Sequence, residues 1–344
     1  MDDLEYRFLR HCWFPVARSS DLGEGVLAGQ ILDQELVLYR VSGRVTVAAG
    51  RCPHRGMALW LGRLRDDCLE CPYHGWLFEP GSGACAEIPS LPERRPAAGI
   101  ALRTFEAREA YGHVWCCLDD PYLPFPELLG YGTQGWQYGF GDPHDLACGM
   151  RQLTENFRDM AHFAFVHTGT MGPNVRREVD PYTVGRIGWD LEWALTTELG
   201  GTALEGNSAL ANTQTLTYRL TPPMSAYVRT SFPDGSGRFV AQFATPVNRE
   251  GTRVRQFWIV GIDETVSGAH GVSLEEMWEY ERQIFAEDYP IVENQWPAEA
   301  PLDTRTQVHT RSDKYSLVFR RLYVELLERF AEESVKAGAS TSAS

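Results

Sequence analysis

The stretch Cys52-Pro53-His54-Arg55-Gly56, followed, after sixteen residues beyond His54, by Cys71-Pro72-Tyr73-His74-Gly75-Trp76, decides how the first third of this chain folds. Each loop offers one thiolate and one imidazole. That set suits a [2Fe–2S] cluster with Cys52 and Cys71 on one iron and His54 and His74 on the other. Neutral imidazoles in place of thiolates lower the negative charge around such a cluster and raise its potential. The glycines and prolines permit tight turns whose backbone N–H groups approach the sulfides with no competing side chain. A structural zinc site fed by Cys68-Leu69-Glu70-Cys71 is the plainer alternative, but it leaves the matching Pro-x-x-Gly frame of both loops unexplained. A high-potential variant would carry an extra cysteine in each loop to clamp them together. Arg55 and Tyr73 stand in those neighbourhoods, which points to a lower-potential electron-transfer cluster.

Around the loops, short β-branched and apolar runs broken by Gly and Pro extend from Ile31 to about Trp115, with a hairpin expected at Ser42-Gly43. They predict a small β-sandwich domain over 1–120. The Pro-rich DDPYLPFPELLG that follows reads as a linker. A helix is expected over about Leu153 to Val166, with Gly169, Gly172 and Pro173 as stop signals. Alternation from about Asp190 to Ile262 predicts an antiparallel sheet. Two further helices, SLEEMWEYERQIFAEDY and KYSLVFRRLYVELLERFAEE, close a second domain over 121–337, the last one amphipathic through Leu322, Leu326 and Phe330. Residues 338–344 read as a disordered tail. The expected class is α+β.

The 344 residues, 43% of them hydrophobic, suffice for two cores. A net charge of −14 argues against nucleic acid, whose phosphates call for a basic face. No run of eighteen apolar residues occurs, and the start MDDLEYRFLRHCW lacks a signal peptide's pattern, so a cytoplasmic protein without membrane spans is expected. Without a secretion signal, the eight cysteines are not a disulfide framework.

A second constellation lies in Asn156-Phe157-Arg158-Asp159-Met160-Ala161-His162-Phe163-Ala164-Phe165-Val166-His167. Two histidines five apart sit about 140° from each other on a regular helix, so sharing a metal requires that helix to be distorted or to end between them. Asp159, one turn before His162, is placed to orient it. A carboxylate would complete a facial triad for Fe(II). Asp288 is preferred over Glu287 and Glu293, as a short carboxylate held where Pro290 interrupts the helix. Alone, His162 and His167 read as satisfied core histidines. A one-electron carrier upstream reverses that judgement, since it needs a redox centre to serve. Ile284 and Glu281 fall on the same face of that helix, one and two turns back, facing either a pocket or solvent.

These two constellations, in this order, with LRHCWFPVARSSDLGEG, GACAEIPS, YGHVWCCL and IFAEDYPIVENQWPAEAP, resemble the Rieske non-haem iron oxygenases. The closest resemblance is to the group built of α subunits alone, methylxanthine N-demethylases and related O-demethylases. The resemblance implies a Rieske domain followed by a helix-grip (START-like) catalytic domain with mononuclear iron, assembled as a head-to-tail homotrimer. The cluster of one subunit would then face the iron of the next, with Asp159 bridging His74 to His162 across the contact and Asn156 supporting that network or bonding to backbone. It also implies electrons from NAD(P)H through a separate flavin and iron–sulfur reductase or a ferredoxin. The chain has no G-x-G-x-x-G loop after a strand to bind the nucleotide itself. The implied reaction is O2-dependent monooxygenation of a small aromatic or heterocyclic molecule, such as oxidative N- or O-demethylation.

Three other readings compete. A biosynthetic tailoring hydroxylase or oxidative cyclase would use the same two centres. A Rieske electron-transfer protein would leave the second His/His/Asp set without purpose, and a helix-grip binding protein would leave the cluster without one.

Overall fold

The computed structural model describes residues 1–172, 175–198, 213–269 and 271–341. The chain packs as two compact units, one of Tyr6–Pro124 with Val247–Arg249, the other of Phe125–Pro246 and Glu250–Ser344 with Asp2–Glu5.

Helix α1 (Asp3–Arg10) is followed by β1 (Phe14–Arg18), a short α2 (Ser19–Leu22), β2 (Val26–Ile31), β3 (Gln34–Val41), β4 (Arg44–Ala49), β5 (Arg63–Arg65), β6 (Cys68–Glu70), β7 (Leu77–Phe78), β8 (Cys85–Glu87), β9 (Thr104–Ala110) and β10 (His113–Cys117). One antiparallel sheet runs β1-β10-β9-β4-β3-β2 and a smaller one β5-β6-β7-β8. Ser42 and Gly43 both take positive φ (49° and 75°) in the two-residue turn joining β3 to β4, the twist that a tight hairpin requires. Val37, Tyr39, Leu59, Leu69 and Phe78 form a core that also takes in Cys52 and Cys71. The loops carrying the two thiols are thereby tied to packed strands.

The second unit holds β11 (Trp136–Phe140), β12 (His144–Leu146), α3 (Met150–Arg158), α4 (Phe163–Val166), β13 (Gly185–Ile187), β14 (Asp190–Glu198), β15 (Thr213–Thr221), β16 (Ser225–Ser231), β17 (Gly237–Pro246), β18 (Val254–Asp263), α5 (Glu264–Ala269), α6 (Leu274–Glu293) and α7 (Lys314–Thr341). Its antiparallel sheet is ordered β11-β18-β17-β16-β15-β14-β13, with β12 also on β18. Helix α3 packs on β17, and α6 on β11 and β18. Strands β17 and β18 are accordingly buried along nearly their whole length, as strands covered on both faces must be. Ser273 caps α6 in a capping box with Glu276. Met277, Tyr280, Ile284, Phe285 and Val292 bury its inner face, each contributing about 1.5–3 kcal/mol.

Three expectations change. The helix anticipated over Leu153–Val166 is two helices, because α3 stops at Arg158 and Asp159 takes extended backbone (φ −80°, ψ 133°). Pro290 does not interrupt α6, which continues to Glu293; a proline near a helix end removes one N–H bond without unwinding the turn. Helix α7 is assigned as far as Thr341, into the tail expected to be disordered. Residues 342–344, Pro173 and the part of the Asp190–Ile262 stretch over 199–212 lie outside the described residues.

Candidate metal centres

The two loops of the first unit repeat one backbone pattern. Cys52 N–H donates to Met57 O (2.9 Å) and Gly56 N–H to Cys52 O (2.9 Å); Cys71 N–H donates to Trp76 O (2.9 Å) and Gly75 N–H to Cys71 O (3.0 Å). Each turn closes through a glycine at positive φ, 68° at Gly56 and 70° at Gly75. Cys52 and Cys71 are buried while His54 and His74 are exposed, and the imidazole centroids lie 4.6 Å apart. Trp76 stacks on His54 at 4.6 Å with the rings 6° from parallel. Two thiols inward and two imidazoles outward, on matching turns, fit the asymmetric ligation of a Rieske cluster. Cys68 lies in β6, outside both turns.

In the second unit, His162 and His167 flank the single turn of α4 as its N-cap and C-cap. The break that allows this is made by Asp159, whose Oδ1 accepts the Ala161 N–H at 2.8 Å. A short polar side chain that competes for backbone donors ends a helix in this way. Freed from one continuous helix, the imidazoles converge, with Nε2 atoms 3.1 Å apart. Asp288 Oδ1 lies 3.3 Å from each Nε2. Among the described residues, these three side chains alone form a group whose ligand atoms could share one ion. The triangle of two imidazole nitrogens and one carboxylate oxygen is the donor set of a 2-His-1-carboxylate iron site.

Each of the three side chains has a further partner. His162 Nδ1 meets Asp159 Oδ2 at 3.3 Å, His167 Nδ1 meets Glu287 Oε2 at 2.8 Å, and Asn156 Nδ2 donates to Asp288 Oδ1 at 3.2 Å. Thr170 Oγ1 in turn donates to Glu287 Oε1 at 2.6 Å. The two acids weighed against Asp288 are therefore engaged elsewhere, Glu287 behind His167 and Glu293 on the Ala147 N–H at 2.9 Å. Sequence reading missed the role of Glu287. Adjacent residues on a helix point about 100° apart, so an acid beside a ligand acid was the available signal. Burial lowers the pKa of His162, but Asp159 and Asp288 outweigh it and hold it at about 9. Burial raises Asp288, and the two imidazoles bring it down to about 2. A metal entering here displaces a proton.

Beside the triangle lies a cavity with about 560 Å³ of space not filled by atoms, part of it open to solvent. Its wall is mainly apolar, with Phe157, Leu216, Val228, Val240, Ile284 and Phe285. Glu281 also lines it and is 5% exposed, so the inward of its two orientations is the one adopted. Asp159 stands at the outer side with its side chain 37% exposed. No helix among the described residues is long and apolar enough to cross a membrane.

Residues 12–106 match the model of the Rieske [2Fe-2S] domain, and residues 146–329 that of the vanillate O-demethylase oxygenase C-terminal domain. The chain is similar to methylxanthine N3-demethylase NdmB of Pseudomonas putida, 29% identical over 332 residues that cover 93% of this chain and 90% of that one. It is 26% identical to methylxanthine N1-demethylase NdmA of the same organism over 340 residues, 96% of this chain and 92% of that one. The solved structure of Pseudomonas putida CBB5 NdmA with caffeine superposes with a TM-score of 0.83 at 26% identity, covering 96% of this chain and 94% of that one.

Proposed function

Because the chain belongs to the Rieske non-haem iron oxygenases whose catalytic half is the vanillate O-demethylase oxygenase C-terminal domain, we propose that it removes an N- or O-methyl group from a small aromatic or heterocyclic substrate. The observation that carries this reading is the His162, His167, Asp288 triangle opening on an apolar pocket. In this reading Cys52, His54, Cys71 and His74 hold the [2Fe–2S] cluster, and the triangle holds mononuclear iron. Iron there supplies dioxygen activation, in which two electrons and two protons accompany transfer of one oxygen atom to a methyl C–H bond and release of the other as water, the hydroxymethyl product then losing formaldehyde.

The chain's own residues shape that step. Phe157, Val240, Ile284 and Phe285 keep water from the reacting carbon and hold a flat ring against the triangle. Asp159 and Glu287 fix the two imidazoles with Nδ1–H outward, leaving Nε2 as ligand. Asn156 fixes the carboxylate of Asp288.

Electrons come from a separate NAD(P)H-dependent reductase, in keeping with the lack of a dinucleotide loop in this sequence. The working unit is a head-to-tail homotrimer in which Asp159 connects His162 to His74 of the partner subunit. Half-exposure of Asp159, the exposed imidazoles of the cluster loops, and the exposed Trp296 (89%) and Val308 (97%) support such a contact. All eight cysteines are free, which suits a cytoplasmic setting.

The test is turnover with a purified reductase and methylated heterocycles. Formaldehyde released in proportion to NAD(P)H consumed supports demethylation. A product that keeps every carbon would transfer the assignment to a tailoring hydroxylase.

A further inference from the structure

Three aromatic side chains of the second unit stack in a row that begins in the pocket wall and leads away from it. Tyr218 of β15 lines the cavity beside His162, His167 and Asp288. Trp193 of β14 is its direct cross-strand partner, and the two rings stack with centroids 4.7 Å apart, 6° from parallel. Tyr182 stacks on Trp193 in turn, at 4.4 Å and 28°. Tyr182 is half-buried, and its hydroxyl donates to Ser312 O at 2.6 Å. Trp193 is 3% exposed, yet its Nε1–H has no hydrogen-bond partner. A buried indole ordinarily finds an acceptor, and packing alone would be served at lower cost by phenylalanine. A buried polar group left unpaired calls for another use, redox chemistry among them.

The row has the properties of a one-electron conductor. Tyrosine and tryptophan give up an electron far more readily than phenylalanine, and rings in contact pass it from one to the next. An indole radical cation with no acceptor at Nε1–H keeps its proton, so the electron vacancy moves on and does not settle at Trp193. A side branch is disfavoured: Tyr315 lies 5.8 Å from Trp193, and the Arg158 guanidinium stands over its ring at 5.0 Å, where one positive charge opposes another. Trp258, another buried indole of this unit, does not line the cavity and meets it through Phe285, 5.3 Å away, a ring too hard to oxidise to serve as a step.

We propose that Tyr218, Trp193 and Tyr182 form a hole-transfer chain that drains oxidising equivalents from the mononuclear iron when no substrate C–H bond is in reach, sparing His162, His167 and the pocket wall. The inference needs iron in the triangle but not the demethylase reading. Reducing O2 to two waters takes four electrons and four protons. The reductase supplies two of the electrons, and substrate oxidation supplies the other two in productive turnover. Without substrate, the missing two pass singly through the chain, each leaving Tyr182 as a neutral phenoxyl radical whose proton goes to solvent. A thiol returns one electron and one proton to each radical, and the two thiols end as one disulfide.

The test adds hydrogen peroxide, without substrate, to protein carrying both the cluster and iron(II). Peroxide takes two electrons and two protons to give two waters; iron(II) supplies one electron and the chain the other. Freeze-quench electron paramagnetic resonance of the wild type should show a tyrosyl radical that glutathione removes. In Trp193→Phe, peptide mass spectrometry should find oxidation of His162, His167 and Tyr218 raised severalfold, with faster loss of the mononuclear iron. Trp258→Phe, an equally buried change off the chain, should match the wild type. Tyr182→Phe should trap the oxidation at Trp193 as hydroxytryptophan, and this half-buried position carries the test if Trp193→Phe misfolds. Unchanged pocket oxidation in Trp193→Phe, no oxidised Trp193 in Tyr182→Phe, or the same pattern with zinc in place of the mononuclear iron would overturn the proposal. Formaldehyde release from a methylated substrate is read separately: a wild type that demethylates but forms no tyrosyl radical loses the chain and keeps the demethylase reading, and the converse result does the opposite.

Discussion

The two candidate metal centres are built in opposite ways. The cluster loops are fixed by backbone: two copies of one turn, each closed by the same pair of main-chain hydrogen bonds and a left-handed glycine. The candidate iron triangle is fixed by side chains: a broken helix sets two imidazoles, Asp159 at the break braces one, and a helix more than a hundred residues away supplies Asp288 and the Glu287 that braces the other. A site made of backbone is local and repeats its signature in the sequence. One made of braced side chains is assembled across the fold and leaves only its ligands in view.

The sharpest way to break this contrast is His162→Ala. It should abolish turnover and take iron from about three atoms per chain to about two, with two acid-labile sulfides and the visible spectrum of the cluster kept. Loss of both centres together, seen by metal analysis, would mean that the two sites are not separable.

Next comes Asp159→Asn. Both centres should stay loaded while turnover falls by about 10–100-fold or more. Single-turnover reduction of the cluster, followed by its reoxidation with substrate present, places the defect in electron delivery. Near-normal turnover would reduce Asp159 to the helix-ending and orienting role seen within one chain.

Glu287→Gln probes the brace on the other imidazole. Iron affinity should weaken by about tenfold, measured by competition with a chelator, with the cluster unaffected. On the backbone side, Gly75→Ala forces a side chain into left-handed backbone, costing about 1–2 kcal/mol. Its Cβ would also meet Pro89 Cγ at 3.2 Å, whereas one at Gly56 would meet nothing within 4 Å. Gly75→Ala should therefore lower the melting temperature more than Gly56→Ala, and neither should touch the mononuclear iron.

The smallest effect concerns the start of α3. Glu299 Oε1 accepts the N–H of Arg151 at 2.9 Å, and burial, against the pull of Arg151, raises its pKa to about 7. A carboxyl whose folded pKa is raised contributes stability that is present near its unfolded value of about 4.5 and is lost as pH rises through about 7. Glu299→Gln should flatten the stability profile across that window, as read by denaturant titration at a series of pH values.

The contrast also explains what could be read without a structure. Cys52, His54, Cys71 and His74 stand out because turn glycines and prolines sit at fixed offsets from them. The hairpin at Ser42-Gly43 is legible for the same local reason. The Asp159 break was not, because a helix ended by one aspartate looks like a continuing helix until its side chain is seen to take the Ala161 N–H. Nor was the division of labour between Glu287 and Asp288, which depends on the rotation of α6 against α4.

The braces behind His162 and His167 carry one more consequence. With each outer nitrogen engaged by a carboxylate, the two inner nitrogens are turned toward one another and toward Asp288. Such bracing predicts a socket and not a fold-on-binding clasp. Iron should then be exchangeable for cobalt under mild chelation, giving an oxygen-inert stand-in whose ligand field reports on bound substrate, with no refolding step in between.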